Sequence, residues 1–304
     1  MLFSQNNTPA FPISLGGAGI GSCNEKIFFN GPVSEKQAVE TVLFALEQGI
    51  NLIDTSPFYG NSEAKVGLAL KEYSFRQSII LSTKVGTHPE HKGYSADKIR
   101  RSIESSLKTL NTDYLDVVHI HDPSGDDLDT LLGKNGGIDV LLRMKEEKII
   151  HSIGLGVRDH DLHYKFMASG YADVIMPYMD YNLLRTNAGA LLQRSHDNKI
   201  PVMIGSALCM GLLSGNDPAS CKITHYDIAQ EDLLDKANLV YEWCINNGVD
   251  LLALNFKFIL ENPAVTAIII GASSKEEIAR SLKAHSEPIP HSIINSFKET
   301  FILQ

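Results

Sequence analysis

The segment NLIDTSPFYGNSE, residues 51–63, decides how this chain is to be read. An apolar pair, Leu52 and Ile53, stops on a carboxylate, Asp54, and a phenol, Tyr59, follows five residues later in a turn rich in Ser, Pro and Gly. A solvated strand end accounts for one such Asp taken alone. The same grammar recurs along the chain, and that recurrence changes its meaning.

Short β-like runs alternate with amphipathic helical segments. The strand candidates are FPISLGG, NLIDT, SIILSTK, YLDVVHIH, HSIGLG, ADVIMPY, IPVMIGS and VTAIIIG. Between them lie helical patterns such as EKQAVETVLFALEQG, ADKIRRSIESSLKTL and QEDLLDKANLVYEWCINNG. In the second of these, Ile99, Ile103, Leu107 and Leu110 recur at three- and four-residue spacing, which predicts a helix with one buried stripe. Gly49 and Gly248 each follow a helical run, as C-terminal caps do. DLLALNFKFILENP reads as an additional helix before the last strand, stopped by Asn262 and Pro263. Eight strands separated by helices or long loops imply parallel pairing with right-handed crossovers. Closed into a ring they give an α/β fold, a (β/α)8 barrel of one domain over residues 1–304. A doubly wound open sheet is the alternative. Against it, the glycines of SLGGAGIGS lead into CNEKIFFNGPV rather than directly into a helix.

Composition narrows the function. The chain of 304 residues is 43% hydrophobic, and its net charge of −9 comes without a basic cluster, which argues against nucleic acid or an anionic membrane as partner. No apolar run approaches the roughly 20 residues that span a bilayer. MLFSQNNTPAFPIS lacks the charged and apolar parts of a signal peptide. The four cysteines, Cys23, Cys209, Cys221 and Cys244, form no CxxC pair, so reduced thiols in a cytoplasmic protein are expected, with no metal site.

In a barrel of this kind functional groups sit at the C-terminal ends of strands. Asp54 ends the second strand, Tyr59 lies in the loop beyond it, Lys84 ends the third and His121 the fourth. Each has a bland reading as a solvated strand end, but four different ionisable groups on one rim form a constellation. A phenol titrates near ~10, too high for easy proton transfer at neutral pH. A neighbouring ammonium favours the phenolate, and a carboxylate keeps that ammonium charged. An imidazole beside them can orient a substrate carbonyl. With no Ser or Cys nucleophile evident, this set suits hydride transfer with a soluble cofactor.

The motifs GINLIDTSPFYGNSEAKVG, STKVG and NTDYLDVVHIHDP closely resemble the aldo-keto reductases, as do GSALCMGLLSG and VTAIIIGASSKEEIARSL near the end. The resemblance runs in order over nearly the whole chain. It implies a (β/α)8 barrel whose Asp, Tyr, Lys and His tetrad matches Asp54, Tyr59, Lys84 and His121. DTSPFYG with HIHD looks most like the branch that oxidises the anomeric hydroxyl of an aldose to a lactone, with pyridoxal-oxidising relatives. The resemblance implies a nicotinamide cofactor, NAD with NADP as the alternative, and a small-molecule substrate, an aldose sugar or aldehyde. Cofactor contacts are expected at Gly17, Ala18, Asp54, Ser206, Leu208, Gly211, Leu212, Gly271, Ser273, Ser274 and Glu277. The chain departs from the family at Gly156-Val157, Met176 and Gly205, where many members carry Ser-Asn, Gln and Tyr around the nicotinamide. Gly271, Ser273 and Ser274 offer a phosphate seat at a helix N-terminus, although a Ser-rich turn capping a helix would look the same. NADP-using members carry Lys and Arg where Gly271 and Glu277 stand, which favours NAD.

Other readings remain. His119 and His121 share a strand face and could ligate zinc in a barrel hydrolase. Lys84 could form a Schiff base, although a paired Asp54 keeps it protonated. Some family members act as non-catalytic regulatory subunits. Asp122 reads as a loop carboxylate, and Tyr94 has no spacing that marks it. Specificity is expected in the loops Phe28 to Pro32, His88 to Tyr94 and Cys209 to Tyr226; the sugar and the oligomeric state are not legible.

Overall fold

The computed structural model describes residues 2–22, 31–221 and 231–303. Cys23, residues 28–30 of the first specificity loop and 222–226 of the third lie outside the described residues. Eight strands pair in chain order into a closed parallel barrel: β1 Ile13–Gly16, β2 Leu52–Asp54, β3 Ile80–Val85, β4 Leu115–His121, β5 Ile150–Gly156, β6 Val174–Met176, β7 Val202–Ile204 and β8 Val265–Ile270. β8 closes on β1 through Ile13↔Ile268 and Leu15↔Ile270. The expected (β/α)8 barrel is the observed fold, and the open-sheet alternative falls with that closure.

The outer helices are α1 Glu35–Glu47, α2 Ser62–Glu72, α3 Ala96–Leu110, α4 Gly125–Leu132, α5 Gly137–Glu146 and α6 His160–Ala168. They continue with α7 Gly189–Asp197, α8 Glu231–Asn246, α9 Leu251–Leu260, α10 Lys275–Ser286 and α11 His291–Phe301. In α3 the stripe predicted from spacing is the buried one: Ile99, Ile103 and Leu110 are fully covered, and Leu107 packs half-buried beside them. Each such side chain contributes about 1.5–3 kcal/mol by leaving water. Asn111, at φ 56, ends that helix in the left-handed conformation. Gly49 does the same after α1 and Gly248 after α8, at φ 89 and 65. The additional helix before the last strand is α9, and its run ends just ahead of Asn262 and Pro263.

Alternation along the strands sorts the residues into two cores. The outward set, including Ile53, Leu81, Val118 and Ile120, packs under the helices. The inward set, including Leu52, Ile80, Val117, Val174, Met203 and Ala267, fills the barrel. Leu2 and Ala10 join the inward set, because a short antiparallel bridge, Phe3↔Pro9, folds the N-terminal segment across the lower mouth. Toward the C-terminal rim the inward positions turn polar: Leu52 is followed by Asp54, Ile80 by Ser82 and Lys84, and Val117 by His119 and His121.

Candidate active site

Asp54 is the last residue of β2, Lys84 the penultimate residue of β3 and His121 the last of β4. Tyr59 closes a one-turn 3-10 helix, Pro57–Tyr59, which Ser56 caps by accepting from the Phe58 N–H at 3.1 Å. Sequence placed this Tyr in a loop; the Pro at the first position and the Ser cap turn that loop into a fixed pedestal.

The Lys84 ammonium bonds Asp54 Oδ2 and also donates to the Thr55 carbonyl at 2.9 Å. Ser82 Oγ donates to the other Asp54 oxygen at 2.7 Å. Both Asp54 and Lys84 are buried. Burial alone would lower the Lys84 pKa, but the Asp54 carboxylate and Tyr59 outweigh it and the net shift is upward, so Lys84 remains an ammonium. That ammonium lies 4.9 Å from the Tyr59 ring centroid. Burial pushes the Tyr59 phenol above its usual value, while the charge of Lys84 and its hydrogen bond pull the other way. The lowering expected from the sequence is therefore present but smaller than the burial it opposes, and Tyr59 is a phenol at neutral pH.

His121 crosses the Tyr59 ring edge to face, with centroids 5.9 Å apart. Burial and then Lys84 lower its pKa to about 3, so the imidazole is neutral. Its Nδ1 lies 2.7 Å from Thr87 Oγ1. When the Thr87 hydroxyl donates to Nδ1, the proton sits on Nε2 and that nitrogen becomes a donor. Asp122 Oδ2 stands 3.6 Å from Nε2, which is no ion pair while the ring is uncharged. The Tyr94 hydroxyl donates to the His121 carbonyl at 2.6 Å. Sequence reasoning missed Thr87 and Tyr94, because both act through a strand that is remote from them in sequence.

His119 lies one inward step below, fully buried, with neither ring nitrogen partnered. Among the described residues no three His, Cys, Asp or Glu side chains gather where they could hold a metal ion. No helix among them is long and apolar enough to cross a membrane.

A cleft of about 590 Å³ opens over the tetrad and runs across the rim to the N-terminus of α10. Of the residues expected to contact the cofactor, Ala18, Asp54, Ser206, Leu208, Gly211, Gly271 and Glu277 line this cleft. Four other expected cofactor residues do not line it. Gly17 packs on the β2 side, its carbonyl accepting from Ser62 Oγ at 2.8 Å. Leu212 is buried in the outer core. Ser273 is buried, and Ser274 caps α10 by accepting from the Glu277 N–H. Ser214 and Asn216, from the third expected specificity loop, also line it with Arg280, and so do Phe58, Asp122, Tyr178 and Met179, which were not expected there. An elongated trough with reactive groups at one end, hydroxyls and amides along it and a helix N-terminus with Arg280 at the other fits a dinucleotide. At Gly205 an added Cβ would stand 2.9 Å from the Tyr178 Cβ, so the missing side chain is what lets Tyr178 reach the cleft.

Together these features define a class: a (β/α)8 barrel with a buried Tyr–Lys–Asp–His cluster beneath a cleft at its C-terminal rim. The model of the aldo/keto reductase family matches residues 12–301, and the chain belongs to that family of nicotinamide-dependent oxidoreductases acting on small molecules. It is 30% identical over 263 residues to the L-galactose dehydrogenase of Arabidopsis thaliana, covering 84% of this chain and 80% of that protein. It is 29% identical over 280 residues to the NADH-specific methylglyoxal reductase of Escherichia coli K12, covering 84% and 85%. In shape it resembles an aldo-keto reductase from Bacillus halodurans in its holo form, at TM-score 0.80 and 21% identity over 100% of this chain and 96% of that one.

Proposed function

We propose that the protein is an NAD-dependent aldose 1-dehydrogenase, oxidising the anomeric hydroxyl of an aldose to a lactone with Tyr59 as general acid and base. The observation that carries this is the Tyr59 phenol set against the buried Lys84–Asp54 pair, with neutral His121 at its edge. A bound nicotinamide supplies the hydride acceptor. Tyr59, as phenolate, takes the proton of the reacting hydroxyl, and as phenol returns it in the reverse direction. Lys84 stabilises the phenolate, Asp54 holds Lys84, and His121 Nε2–H orients the reacting oxygen. The likeness to an L-galactose dehydrogenase supports the sugar.

The second reading is an aldehyde reductase. It is favoured by the upward shift of the Tyr59 pKa, which keeps a proton donor ready for a carbonyl, and by the likeness to a methylglyoxal reductase. Following NADH absorbance with a panel of aldoses, and then with small aldehydes in the reverse direction, separates the two. Tyr59→Phe removes only the hydroxyl and should lower turnover ~10²–10⁴-fold in an otherwise folded protein. Near-normal turnover in that variant would end the assignment.

NAD is preferred on the chemistry of the α10 end. A 2′-phosphate needs cationic donors. There the Ser273 N–H and hydroxyl both donate to Glu277 Oε2, at 2.6 and 3.0 Å, which fixes a carboxylate at the cleft wall where a phosphate would meet a like charge. Lys275 pairs with Glu40 at 3.3 Å, and Arg280 donates to Asn216 Oδ1 at 2.6 Å. We expect a higher kcat/KM with NAD, and Glu277→Arg to shift the ratio toward NADP. A wild-type preference for NADP, or an unmoved ratio in the variant, would show the loop misread.

A further inference from the structure

The carboxylate after His121 has no part in the proton transfer. Asp122 is held at φ 43, a left-handed conformation that costs a non-glycine residue energy and that Asp tolerates better than most. Its N–H donates to the Gly156 carbonyl at 2.9 Å, which fixes the backbone there. The strained turn sends the side chain into the cleft, where 42% of it is exposed. Tyr178, from beyond β6, donates its hydroxyl to Asp122 Oδ1 at 3.1 Å. Oδ2 stands 3.6 Å from His121 Nε2, the donor assigned to the reacting oxygen. Beside them the Phe58 ring is 49% exposed, edge to face with His121 at 5.8 Å between centroids. An exposed aromatic at a cleft mouth offers an apolar face to C–H groups, and a carboxylate held by one donor still has lone pairs to accept others.

We propose that Asp122, positioned by Tyr178 and flanked by Phe58, is the subsite for the hydroxyl on the carbon next to the reacting one, selecting neutral hydroxylated substrates over plain aldehydes and over anions. The oxygens of a vicinal diol stand about one hydrogen-bond length apart, so a molecule with one oxygen on His121 Nε2 brings its neighbour to Oδ2. A hydroxyl there donates to the carboxylate while the C–H face of the carbon chain packs on Phe58. A substrate with its own carboxylate or phosphate at that end meets a like charge in a half-buried site. The proposal rests on the reading of Tyr59 and His121 as the reacting end, but not on the substrate being an aldose.

The test is the ratio of kcat/KM for glyceraldehyde to that for propanal, with NADH, in wild type, Asp122→Ala, Asp122→Asn and Tyr178→Phe. A hydrogen bond to a charged group, once lost, lowers that ratio roughly 10- to 100-fold in Asp122→Ala, chiefly through KM. Tyr178→Phe should move it the same way by less. In Asp122→Asn the ratio of kcat/KM for succinic semialdehyde to that for propanal should rise, because the repelling charge is gone. Should Asp122→Ala fail to fold, as read by its melting temperature, Asp122→Asn and Tyr178→Phe carry the test. An unchanged glyceraldehyde-to-propanal ratio in the folded variants, or no gain for the anionic aldehyde in Asp122→Asn, overturns the subsite. Failure of the aldose reading looks different: no lactone from any aldose, with the ratios still shifting.

Discussion

At the scale of the residue, the site turns on how much of the Tyr59 proton affinity is set by Lys84. Burial raises the phenol and Lys84 lowers it, so removing the ammonium leaves only the raising influences. Lys84→Met should therefore move the pH limb for oxidation of an alcohol substrate to higher pH as well as slow the reaction. Reduction, which needs the phenol, should lose no activity at neutral pH on that account. Removing Lys84 alone strands a buried carboxylate at Asp54, a loss of about 3–5 kcal/mol. The double variant Asp54→Asn/Lys84→Met avoids this, and its kcat/KM against pH is the cleaner measurement. A fall in rate with the limb unmoved would make Lys84 a packing residue. The tetrad was legible because each member ends or follows a strand on one rim. Thr87 and Tyr94, which hold His121, were not: a hydrogen bond from one loop to the end of the next strand leaves no periodic trace.

At the scale of the element, β4 and β5 show what strand alternation conveys and what it hides. Period-two alternation correctly put His119 and His121 on one face. It could not show that His119 enters the barrel against a strand without side chains at that level. His119 pairs in register with Gly154, and a Cβ on Gly154 would meet His119 Nδ1 at 2.3 Å and Val174 Cγ1 at 2.9 Å. The first glycine of HSIGLG, Gly154, is thus a packing requirement for the imidazole. Gly154→Ala should cost about 1–3 kcal/mol of overpacking. Urea unfolding of Gly154→Ala, His119→Ala and the double variant measures the coupling: the glycine substitution should cost much less once the ring is gone. Additive losses would mean that the alanine is absorbed elsewhere. The N-terminal plug was likewise invisible, since Leu2 and Ala10 lie in no periodic run and matter only because the barrel needs its lower mouth covered.

At the scale of the molecule, closing the barrel takes several histidines out of water at a cost that no nearby carboxylate offsets, and this makes folding sensitive to mild acid. Burial lowers the pKa of His163 to about 4, although its Nε2 lies 2.8 Å from the Val157 carbonyl. Burial and Lys84 lower His121 to about 3, and the same two influences take His119 well below its usual value. In each case the folded pKa is depressed, so the unfolded chain binds the proton first. Stability is fully present above the unfolded value of about 6.5 and is lost as pH falls toward the folded values. Between pH 7 and pH 5 the loss is about 2 kcal/mol per histidine. Glu63 and Asp122, raised by burial, act in the opposite direction, so the net slope alone does not isolate the imidazoles. His119→Leu does. It replaces a ring without partners by an apolar side chain of similar size, and so should raise stability at pH 7 and raise it further at pH 5. Urea midpoints of wild type and variant at both pH values measure this, and a difference between them that stays constant from pH 7 to pH 5 would mean that His119 is not held neutral in the barrel.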